Sequence, residues 1–297
     1  MEKIAFFGAS VTQQKDGYWK YFAEKNNNFL IKNFGYGSRH LNDAGVSYLD
    51  DVIAFEPKYC FIDWFSTGYI KYNEDKFDEI IEYVNTIIYK LINNNITIVF
   101  LTFPDLTVDK EEVYLKLNSY LSSMYVPTLD ISKSFNDLSI ILRDGIHTTQ
   151  KGSEEYGKLI YDYFINNIYD KELKHIKEIE KTKYCEIKTC EINQTIKDRL
   201  VLEGNGEVIG ISQYIGPYSG LVRINDKIYN NWDRWCYYER EMVNLKFEVN
   251  GITIIEVLED DFDRTSCEYS MDWSIKKQLK LNTIFYIGDD LKIIDKR

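Results

Sequence analysis

The first half of the chain alternates short apolar segments of β type with segments of helical period. The β-type segments are rich in β-branched and aromatic residues and lie at 3–7, 29–34, 59–64, 96–103 and 126–129. Between them apolar residues recur every three or four positions, most clearly over 77–92. Strands separated by such helices need right-handed crossovers, and these produce a parallel sheet with helices on both faces. The alternation therefore predicts a three-layer α/β domain over residues 1–170.

After residue 183 the pattern changes to alternating β-type segments separated by turn residues. These segments lie at 186–192, 208–211, 221–224, 245–249 and 252–257. Turns are predicted at 204–206, 216–217, 225–226 and 250–251, and the last of these is Asn-Gly, a strong hairpin signal. The pattern predicts an all-β, sandwich-like domain over 184–297. The highly charged residues 171–183 predict either an extension of the last helix or a linker.

The charge of the chain narrows the classes of partner. Lys and Arg total 36 against 47 Asp and Glu, so the net charge is −11. A chain this acidic is repelled by nucleic-acid phosphates and by anionic membrane surfaces. We therefore expect neither a nucleic-acid partner nor a membrane partner.

The cysteines and the apolar runs indicate which metal sites and which cellular location to expect. The five cysteines are scattered without a C-x-x-C pair, and the chain has only three histidines. This argues against a disulfide framework or a structural zinc site, and we expect neither a metal nor a cofactor. The apolar run near the N-terminus is shorter than the ~7–15 residues of a signal-peptide core, and no run reaches the ~20 residues of a membrane helix. We therefore expect a cytoplasmic protein.

A serine follows the first predicted strand, in the sequence Gly8-Ala9-Ser10. This position lies at the carboxyl edge of the predicted sheet, where open α/β folds bind ligands. The helix that follows would direct backbone N–H groups and its positive end at this point, where an oxyanion could develop. Ser10 is therefore a candidate nucleophile, and the alternative is a plain helix N-cap.

A second candidate group precedes the last predicted helix. Asp144 and His147 lie in one loop, close enough for the carboxylate to hold the imidazole in one tautomer. An imidazole held in this way can take a proton from a serine hydroxyl and later return it. The alternative is an Asp in a turn and a His near a helix start.

A glycine-containing loop follows the second predicted strand and reads Asn33-Phe34-Gly35-Tyr36-Gly37-Ser38. Its backbone N–H groups could face the same edge of the sheet as Ser10. The alternative is an ordinary turn between a strand and a helix.

In their order and placement, these three motifs closely resemble those of the SGNH (GDSL-like) hydrolase family. The family's first block, usually GDS, corresponds to Gly8-Ala9-Ser10, and its last block, usually DGxHxxxxG, corresponds to Asp144 through Gly152. The resemblance covers roughly residues 1–170 and implies a three-layer, flavodoxin-like fold. It also implies that Ser10 is the nucleophile, His147 the general base and then acid, and Asp144 the orienting carboxylate.

The resemblance further implies an oxyanion hole formed by the backbone N–H of Ser10 and one from the second loop. The family's loop usually reads N-x-G-x-x-G. Counting from Asn33 places Ser38 at the final glycine position, with Gly37 just before it. A backbone donor is present at either residue, so both Gly37 and Ser38 are candidates.

The chain departs from the family after the third strand. There the family's G-x-N-D supplies an Asn side chain as the remaining oxyanion donor, whereas this chain has Phe65-Ser66-Thr67-Gly68. Thr67 stands at the Asn position, and its hydroxyl can donate one hydrogen bond but is shorter than an amide. Losing one such donor lowers kcat about 10²–10³-fold. Either Thr67 or Ser66 substitutes, or Asn42 or Arg39 reaches the site, or the site is catalytically weak. We expect a working but specialised site.

Three weaker signals have competing interpretations. Residues 204–210 resemble a nucleotide-binding loop only loosely, lack G-x-G-x-x-G spacing, and are predicted to form a hairpin. The aromatic residues within 232–238 either form a core strand or stack on sugar rings. His40 either lines the pocket or is exposed, and His175 is expected to be solvated.

Together these features predict a serine esterase or O-acyltransferase that acts on a carbohydrate through an acyl-Ser10 intermediate. The compact α/β domain has no long lid insertion, which favours a small acyl group such as acetyl. SGNH-like enzymes with an appended β domain often act on carbohydrate esters, so the resemblance implies a small-molecule or glycan ester as substrate. The alternative is a glycan-binding protein in which the β domain binds and the hydrolase-like domain is weakly active or inactive.

Overall fold

The computed structural model describes residues 1–25, 28–107, 111–259, 264–267, 269 and 273–297. The chain divides into two units, Met1–Cys185 and Glu186–Arg297. Among the described helices, none has both the length and the apolar character needed to cross a membrane.

The first unit contains a five-stranded sheet. Its strands are β1 (Glu2–Gly8), β2 (Phe29–Gly35), β3 (Tyr59–Asp63), β4 (Thr97–Thr102) and β5 (Thr128–Asp130). All neighbouring strands run parallel, in the order β2-β1-β3-β4-β5. The predicted flavodoxin-like parallel sheet is therefore confirmed.

Eight helices connect and cover these strands in the described part of the first unit. They are α1 (Ser10–Gln13), α2 (Tyr18–Glu24), α3 (Ala44–Ser47), α4 (Leu49–Ala54), α5 (Gly68–Tyr72), α6 (Phe77–Asn93), α7 (Glu111–Ser123) and α8 (Gln150–Tyr163). Helices α2 and α8 pack together on one face of the sheet, where Phe22 and Phe164 contact Phe6 and Phe61 of the strands. Helices α3, α4 and α6 contact one another and add no residue to that cluster, so they cover the opposite face.

The charged stretch after α8 does not extend the helix, which was one of the two predictions for it. The helix continues only as a π-helical turn, Phe164–Ile168, and residues 171–180 have no regular secondary structure. The end of the stretch instead packs within the first unit. Ile179 is buried, and Nδ2 of Asn85 in α6 donates to the carbonyl of Lys183 at 2.8 Å.

The second unit is an eight-stranded antiparallel sheet. Its strands are β6 (Lys188–Ile196), β7 (Arg199–Ile215), β8 (Leu221–Ile224), β9 (Lys227–Asn230), β10 (Arg240–Asn244), β11 (Phe247–Val257), β12 (Leu279–Gly288) and β13 (Lys292–Lys296). Strand β7 is central: β10 and β11 pair with one of its edges, and β12 and β13 pair with the other. The predicted all-β domain is confirmed.

Two of the turns predicted in this unit are wrong, because their glycines lie inside strands. The segment 204–206, part of the predicted hairpin 204–210, lies within β7, and 250–251 lies within β11, where the two segments face each other in register. Gly206 has a φ of +152°, and a Cβ there would collide with the carbonyl of Ile287 in β12. Glycine thus lets the long strands bend and approach closely while they remain paired. Turns are present at the other two predicted places, 216–217 and 225–226.

A buried network of amide side chains links β7, β10 and the end of β9. Gln213 and Asn231 exchange two hydrogen bonds of 2.9 Å, and Nδ2 of Asn244 donates to Oδ1 of Asn231 at 2.7 Å. Gln213 and Asn231 are almost fully buried. Because these amides satisfy one another, the network avoids the cost of buried polar groups and stiffens the sheet.

Candidate active site

Ser10 is the first residue of α1, just beyond the carboxyl end of β1. Strand β1 lies between β2 and β3, so this turn is at the point where the strand order reverses, the usual ligand position in such sheets. The turn fits closely against β3. The Ala9 N–H donates to the carbonyl of Asp63 at 3.0 Å, and a Cβ on Gly8 would lie 2.5 Å from the same oxygen. Glycine at position 8 therefore permits the tight turn that presents Ser10.

The structure brings the three predicted triad residues into one hydrogen-bonded chain. Nε2 of His147 lies 2.8 Å from Oγ of Ser10. Nδ1 of the same imidazole lies 2.9 Å from Oδ2 of Asp144 and 3.1 Å from its Oδ1. When the Nδ1 proton points at Asp144, Nε2 is left to accept the proton of the Ser10 hydroxyl. This arrangement can activate Ser10 by general-base catalysis.

Asp144 is positioned by its own loop. Its Oδ1 accepts the backbone N–H groups of His147 at 2.8 Å and of Ile146 at 3.2 Å. Gly145 has a φ of +89°, a conformation that favours glycine, and a Cβ there would lie 2.8 Å from the methyl group of Thr107. The D-G-x-H spacing thus forms a turn in which one carboxylate orients both the backbone and the imidazole.

The electrostatics of this pair are those of a partly solvated site. The side chain of Asp144 is 49% exposed and that of His147 is 28% exposed. Partial desolvation acts to raise the pKa of Asp144, but the hydrogen bonds from the backbone and imidazole of His147 outweigh it and hold the pKa below its ordinary value. The carboxylate is therefore ionised when the imidazole must become positive. Because water reaches the pair, solvent screening weakens their attraction relative to a buried pair.

The side chain of Gln14, in the segment after α1, anchors the loop that carries Asp144 and His147. Its Oε1 accepts both the backbone N–H and the hydroxyl of Thr148 at 3.1 Å, and its Nε2 donates to the carbonyl of Thr148 at 3.2 Å. In the first turn of α8, a Cβ on Gly152 would collide with the carbonyl of Ile141. These close contacts on the residues that follow His147 fix the imidazole in place.

The loop after β2 packs against α1. The Tyr36 N–H donates to the carbonyl of Gly8 at 2.8 Å. A Cβ on Gly37 would collide with the side-chain oxygen of Gln13, in the helix that begins at Ser10, and the next residue, Ser38, has a φ of +57°. These contacts place the backbone of Gly37 and Ser38 alongside α1, and their role as oxyanion donors stays a prediction.

In the loop after β3, the hydroxyls of Ser66 and Thr67 have different environments. Oγ of Ser66 donates to Oδ1 of Asp63 at 2.7 Å. Thr67 is buried just before α5, yet its Oγ1 does not cap that helix and has no hydrogen-bond partner among the described residues. A buried hydroxyl without a partner is costly, and one explanation for such a group is an absent ligand. Thr67, rather than Ser66, is therefore the side chain available to donate to an oxyanion.

Asp63 is a residue of this site that the sequence analysis did not identify. It is fully buried, its Oδ2 accepts the hydroxyl of Thr12 at 3.0 Å, and its Oδ1 accepts that of Ser66. Thr12 belongs to the helix that begins at Ser10, and Ser66 precedes Thr67. One carboxylate thus links helix α1, which begins at Ser10, to the loop that contains Thr67. The available signal was an acidic residue at the end of an otherwise apolar strand.

Three tyrosines surround this buried carboxylate. The hydroxyl of Tyr18 lies 2.7 Å from Oγ1 of Thr12. Burial, and then the charge of Asp63, raises the pKa of Tyr18, Tyr114 and Tyr156 well above the ordinary value. The three phenols therefore stay neutral.

Comparison with known proteins identifies the fold. No protein-family model and no curated protein matches the sequence. Crystal structures of a two-domain esterase (CEX) active on acetylated mannans match 97% of this chain at 12% identity. The structure co-crystallized with mannopentaose is covered over 91% of its chain with a TM-score of 0.64, and the other over 92% with a TM-score of 0.62. The lipase/acylhydrolase from Enterococcus faecalis matches 58% of this chain and 100% of its own, at 17% identity and a TM-score of 0.48.

At such low identity the likeness concerns the fold. It extends over both units, the parallel sheet that presents Ser10 and the antiparallel sheet that follows. The chain therefore has the fold of this two-domain esterase, a parallel, flavodoxin-like α/β domain followed by an antiparallel β domain.

Proposed function

We propose that the protein is a serine esterase that removes a small acyl group, acetyl above all, from a carbohydrate. The observation that carries this proposal is the hydrogen-bonded chain of Ser10, His147 and Asp144, at the sheet edge of a fold shared with an esterase active on acetylated mannans. The shared fold would not suffice without the hydrogen-bonded chain, because one fold hosts many functions.

In the first step Oγ of Ser10 attacks the acyl carbonyl carbon while Nε2 of His147 takes the hydroxyl proton. The carbonyl π electrons move to its oxygen, and the resulting oxyanion is stabilised by the candidate donors, the backbone N–H groups of Ser10 and of Gly37 or Ser38 and the hydroxyl of Thr67. The intermediate then collapses. The ester C–O bond breaks, the leaving sugar oxygen takes the proton from His147, and acyl-Ser10 remains.

The second step repeats this chemistry with a different nucleophile. A water molecule gives a proton to His147 and attacks acyl-Ser10, and the collapse of the second oxyanion releases the free acid and the Ser10 hydroxyl. If a sugar hydroxyl replaces water, the same step transfers the acyl group, so hydrolysis and transfer differ only in the acceptor.

A polar cavity next to the catalytic loop supports a carbohydrate as the carrier of the acyl group. It has a volume of about 590 Å³ and its lining includes Gln14, Lys15, Arg143, Thr148 and Gln150. Ligand sites in proteins are mostly apolar with a few polar groups. A lining this polar fits a hydroxyl-rich ligand better than a long acyl chain.

The direct test measures release of acetate from acetylated mannan and of nitrophenol from p-nitrophenyl acetate. We expect activity in the wild-type chain and its loss in Ser10→Ala. Ser123→Ala is the matched control, because that serine is exposed on α7 and donates only to the carbonyl of Tyr120. Equal rates in wild type and Ser10→Ala would contradict the proposal.

The same preparation separates hydrolysis from acyl transfer. Adding manno-oligosaccharides to the p-nitrophenyl acetate reaction offers the acyl-enzyme a second acceptor. An esterase forms free acetate throughout, whereas a transferase forms acetylated oligosaccharide in proportion to acceptor concentration, which mass spectrometry detects.

A cluster of aromatic side chains on the second unit favours glycan binding as a second candidate function. Residues 232–238 form a turn and not the predicted core strand, although Trp232 and Cys236 are buried. Tyr238 and Tyr269, by contrast, are 47% and 57% exposed, and both rings contact Tyr237. Exposed aromatic faces can stack on sugar rings. Calorimetric titration of Ser10→Ala with mannopentaose tests this, and binding that survives Tyr238→Ala would contradict a role for the cluster.

A further inference from the structure

The loop after β2 continues beyond Ser38 to His40, whose imidazole lies at the start of α5. Cε1 of His40 is 3.5 Å from the position that a Cβ on Gly68 would occupy, and Gly68 directly follows Thr67. Nδ1, which is bonded to that carbon, is buried and has no hydrogen-bond partner in the part of the chain that the structure describes. Oγ1 of Thr67 has the same property. Two unsatisfied polar atoms therefore lie at the same end of α5.

Unsatisfied buried polar atoms are rare in native proteins, and each calls for a water, an ion or a ligand to complete it. Here the two atoms come from different loops, one after β2 and one after β3, on either side of the strand that presents Ser10. A ligand atom that satisfies both would lie at the edge of the sheet that also presents Ser10.

The backbone of His40 is held firmly in place. Its N–H donates to Oδ1 of Asp43 at 2.7 Å, and its carbonyl accepts the N–H of Gly45 at 3.0 Å. A donor fixed in this way before the substrate arrives costs little reorganisation during the reaction, which is what makes an oxyanion donor effective.

We propose that His40 is a further catalytic residue, and that its Nδ1–H donates a hydrogen bond to the substrate carbonyl oxygen as this becomes the oxyanion, beside the hydroxyl of Thr67. The proposal rests on the esterase function proposed above. No proton is transferred by His40: the imidazole stays neutral, and Ser10 and His147 alone exchange the proton that the reaction moves.

The electrostatic surroundings of His40 agree with a neutral donor. Burial lowers its pKa, Asp43 acts in the opposite direction, and the charge of Arg39 lowers it further. A neutral imidazole carries a single N–H proton, so donation from Nδ1 leaves Nε2 as an acceptor.

The test compares three substitutions of His40 in the full chain. Alanine removes the donor, asparagine keeps an N–H donor at the position of Nδ1, and glutamine moves the donor one atom farther, to the position of Nε2. For p-nitrophenyl acetate we expect His40→Ala to lower kcat about 10–100-fold with KM changed less than about twofold. His40→Asn should recover at least half of that loss on a logarithmic scale, and His40→Gln should not.

A second measurement reads the oxyanion directly. Small alkylboronic acids form a tetrahedral adduct with a catalytic serine hydroxyl, so their inhibition constants report transition-state-like binding. We expect His40→Ala to weaken boronate inhibition about as much as it lowers kcat. His175→Ala is the matched control, because that histidine is exposed in the charged stretch, and both readouts should equal those of the wild type.

The outcomes separate this proposal from the esterase proposal. If Ser10→Ala is inactive while His40→Ala keeps wild-type kcat and boronate affinity, the esterase stands and the role of His40 is wrong. A change confined to KM would also overturn it, because His40 would then bind the substrate but not the oxyanion. If Ser10→Ala is as active as the wild type, both proposals fail together.

Discussion

The polar groups buried at the edge that presents Ser10 differ from those at the centre of the second unit's sheet. In the first unit, Oγ1 of Thr67 and Nδ1 of His40 have no hydrogen-bond partner among the described residues. In the second unit, Gln213 and Asn231 exchange two hydrogen bonds in the interior of the sheet. Unsatisfied groups at a ligand-binding edge can act on a ligand, whereas hydrogen-bonded ones stiffen a fold.

Strand direction explains why the reactive groups gather in only one of the units. In a parallel sheet every strand ends at the same edge, so residues that follow different strands meet there although they are far apart in sequence. Ser10, Gly37 and Thr67 follow three neighbouring strands of this kind. In the antiparallel unit successive strands end at opposite edges, which disperses their loops.

The largest expected effect comes from removing the nucleophile or its base. Ser10→Ala, His147→Ala and the double variant should each lower kcat for p-nitrophenyl acetate about 10³–10⁶-fold, because residues that act as one unit lose their function together. Steady-state kinetics of the three variants test this. If the fold-decrease in kcat of the double variant equals the product of the two single fold-decreases, the two side chains act independently.

Thr67→Val should lower the rate without lowering stability. Valine keeps the shape of threonine, so the variant removes one oxyanion donor, at a cost of about 10²-fold in kcat, together with a buried hydroxyl that lacks a partner. The melting temperature should equal or exceed that of the wild type.

Thr253→Val is the matched control in the second unit. Thr253 is also fully buried and its hydroxyl also lacks a partner among the described residues. We expect the same thermal behaviour as for Thr67→Val but unchanged kcat. A lower melting temperature for Thr67→Val alone would indicate that its hydroxyl supports the fold.

Asn231→Ala, in the second unit, should lower the stability of the protein and leave its rate unchanged. Gln213 and Asn244 keep their hydrogen bond to each other, but Oε1 of Gln213 loses its donor and Nδ2 of Asn244 loses its acceptor. An unsatisfied buried group costs about 1–3 kcal/mol in the free energy of unfolding. Urea denaturation should show this loss, while kcat of the folded protein stays within twofold of wild type. A large fall in kcat would break the separation between a reactive unit and a structural unit.

The smallest effect concerns Asp144 and acid. Because the folded state lowers the pKa of this carboxyl, ionised Asp144 adds stability above its ordinary pKa, and that stability is lost as the pH falls through the lowered value. The difference in unfolding free energy between wild type and Asp144→Asn should be small at neutral pH, because the side chain is half exposed, and should vanish in strong acid. Urea denaturation across this pH range measures it, and a difference that grows on acidification would reverse the assigned sign.

The fold of the first unit was predictable because its signals are local and agree with one another. Strands β1, β3 and β4 are nearly continuous apolar runs, and a helix such as α6 shows its buried face directly in its spacing. The second unit misled the sequence analysis at two glycine segments, 204–206 and 250–251. Asn-Gly favours a tight hairpin locally, but pairing of β7 with β11 imposes a continuous strand, and only the tertiary structure decides between them.

In the candidate site, too, local sequence patterns were predictable and features that depend on tertiary packing were not. The spacing of Asp144 and His147 is a local pattern, so their contact could be inferred from the sequence together with the position of Ser10. Asp63 follows from no such pattern, and the sequence left His40 either lining the pocket or exposed, because the positions of both depend on which loops meet in space. Unsatisfied and fully buried polar atoms become visible only once the packing is known.

Strand β7 also has a consequence for how the chain folds during synthesis. Leu200, near its start, pairs with Ile255 on one edge and with Lys296 on the other. One edge of the central strand therefore stays open until residues 280–296 have been synthesised, whereas strands of the first unit pair with strands nearer in sequence. Late pairing between distant segments is slow and exposes strand edges to aggregation. During synthesis the antiparallel sheet is therefore the part of the chain whose central strand waits longest for its partners.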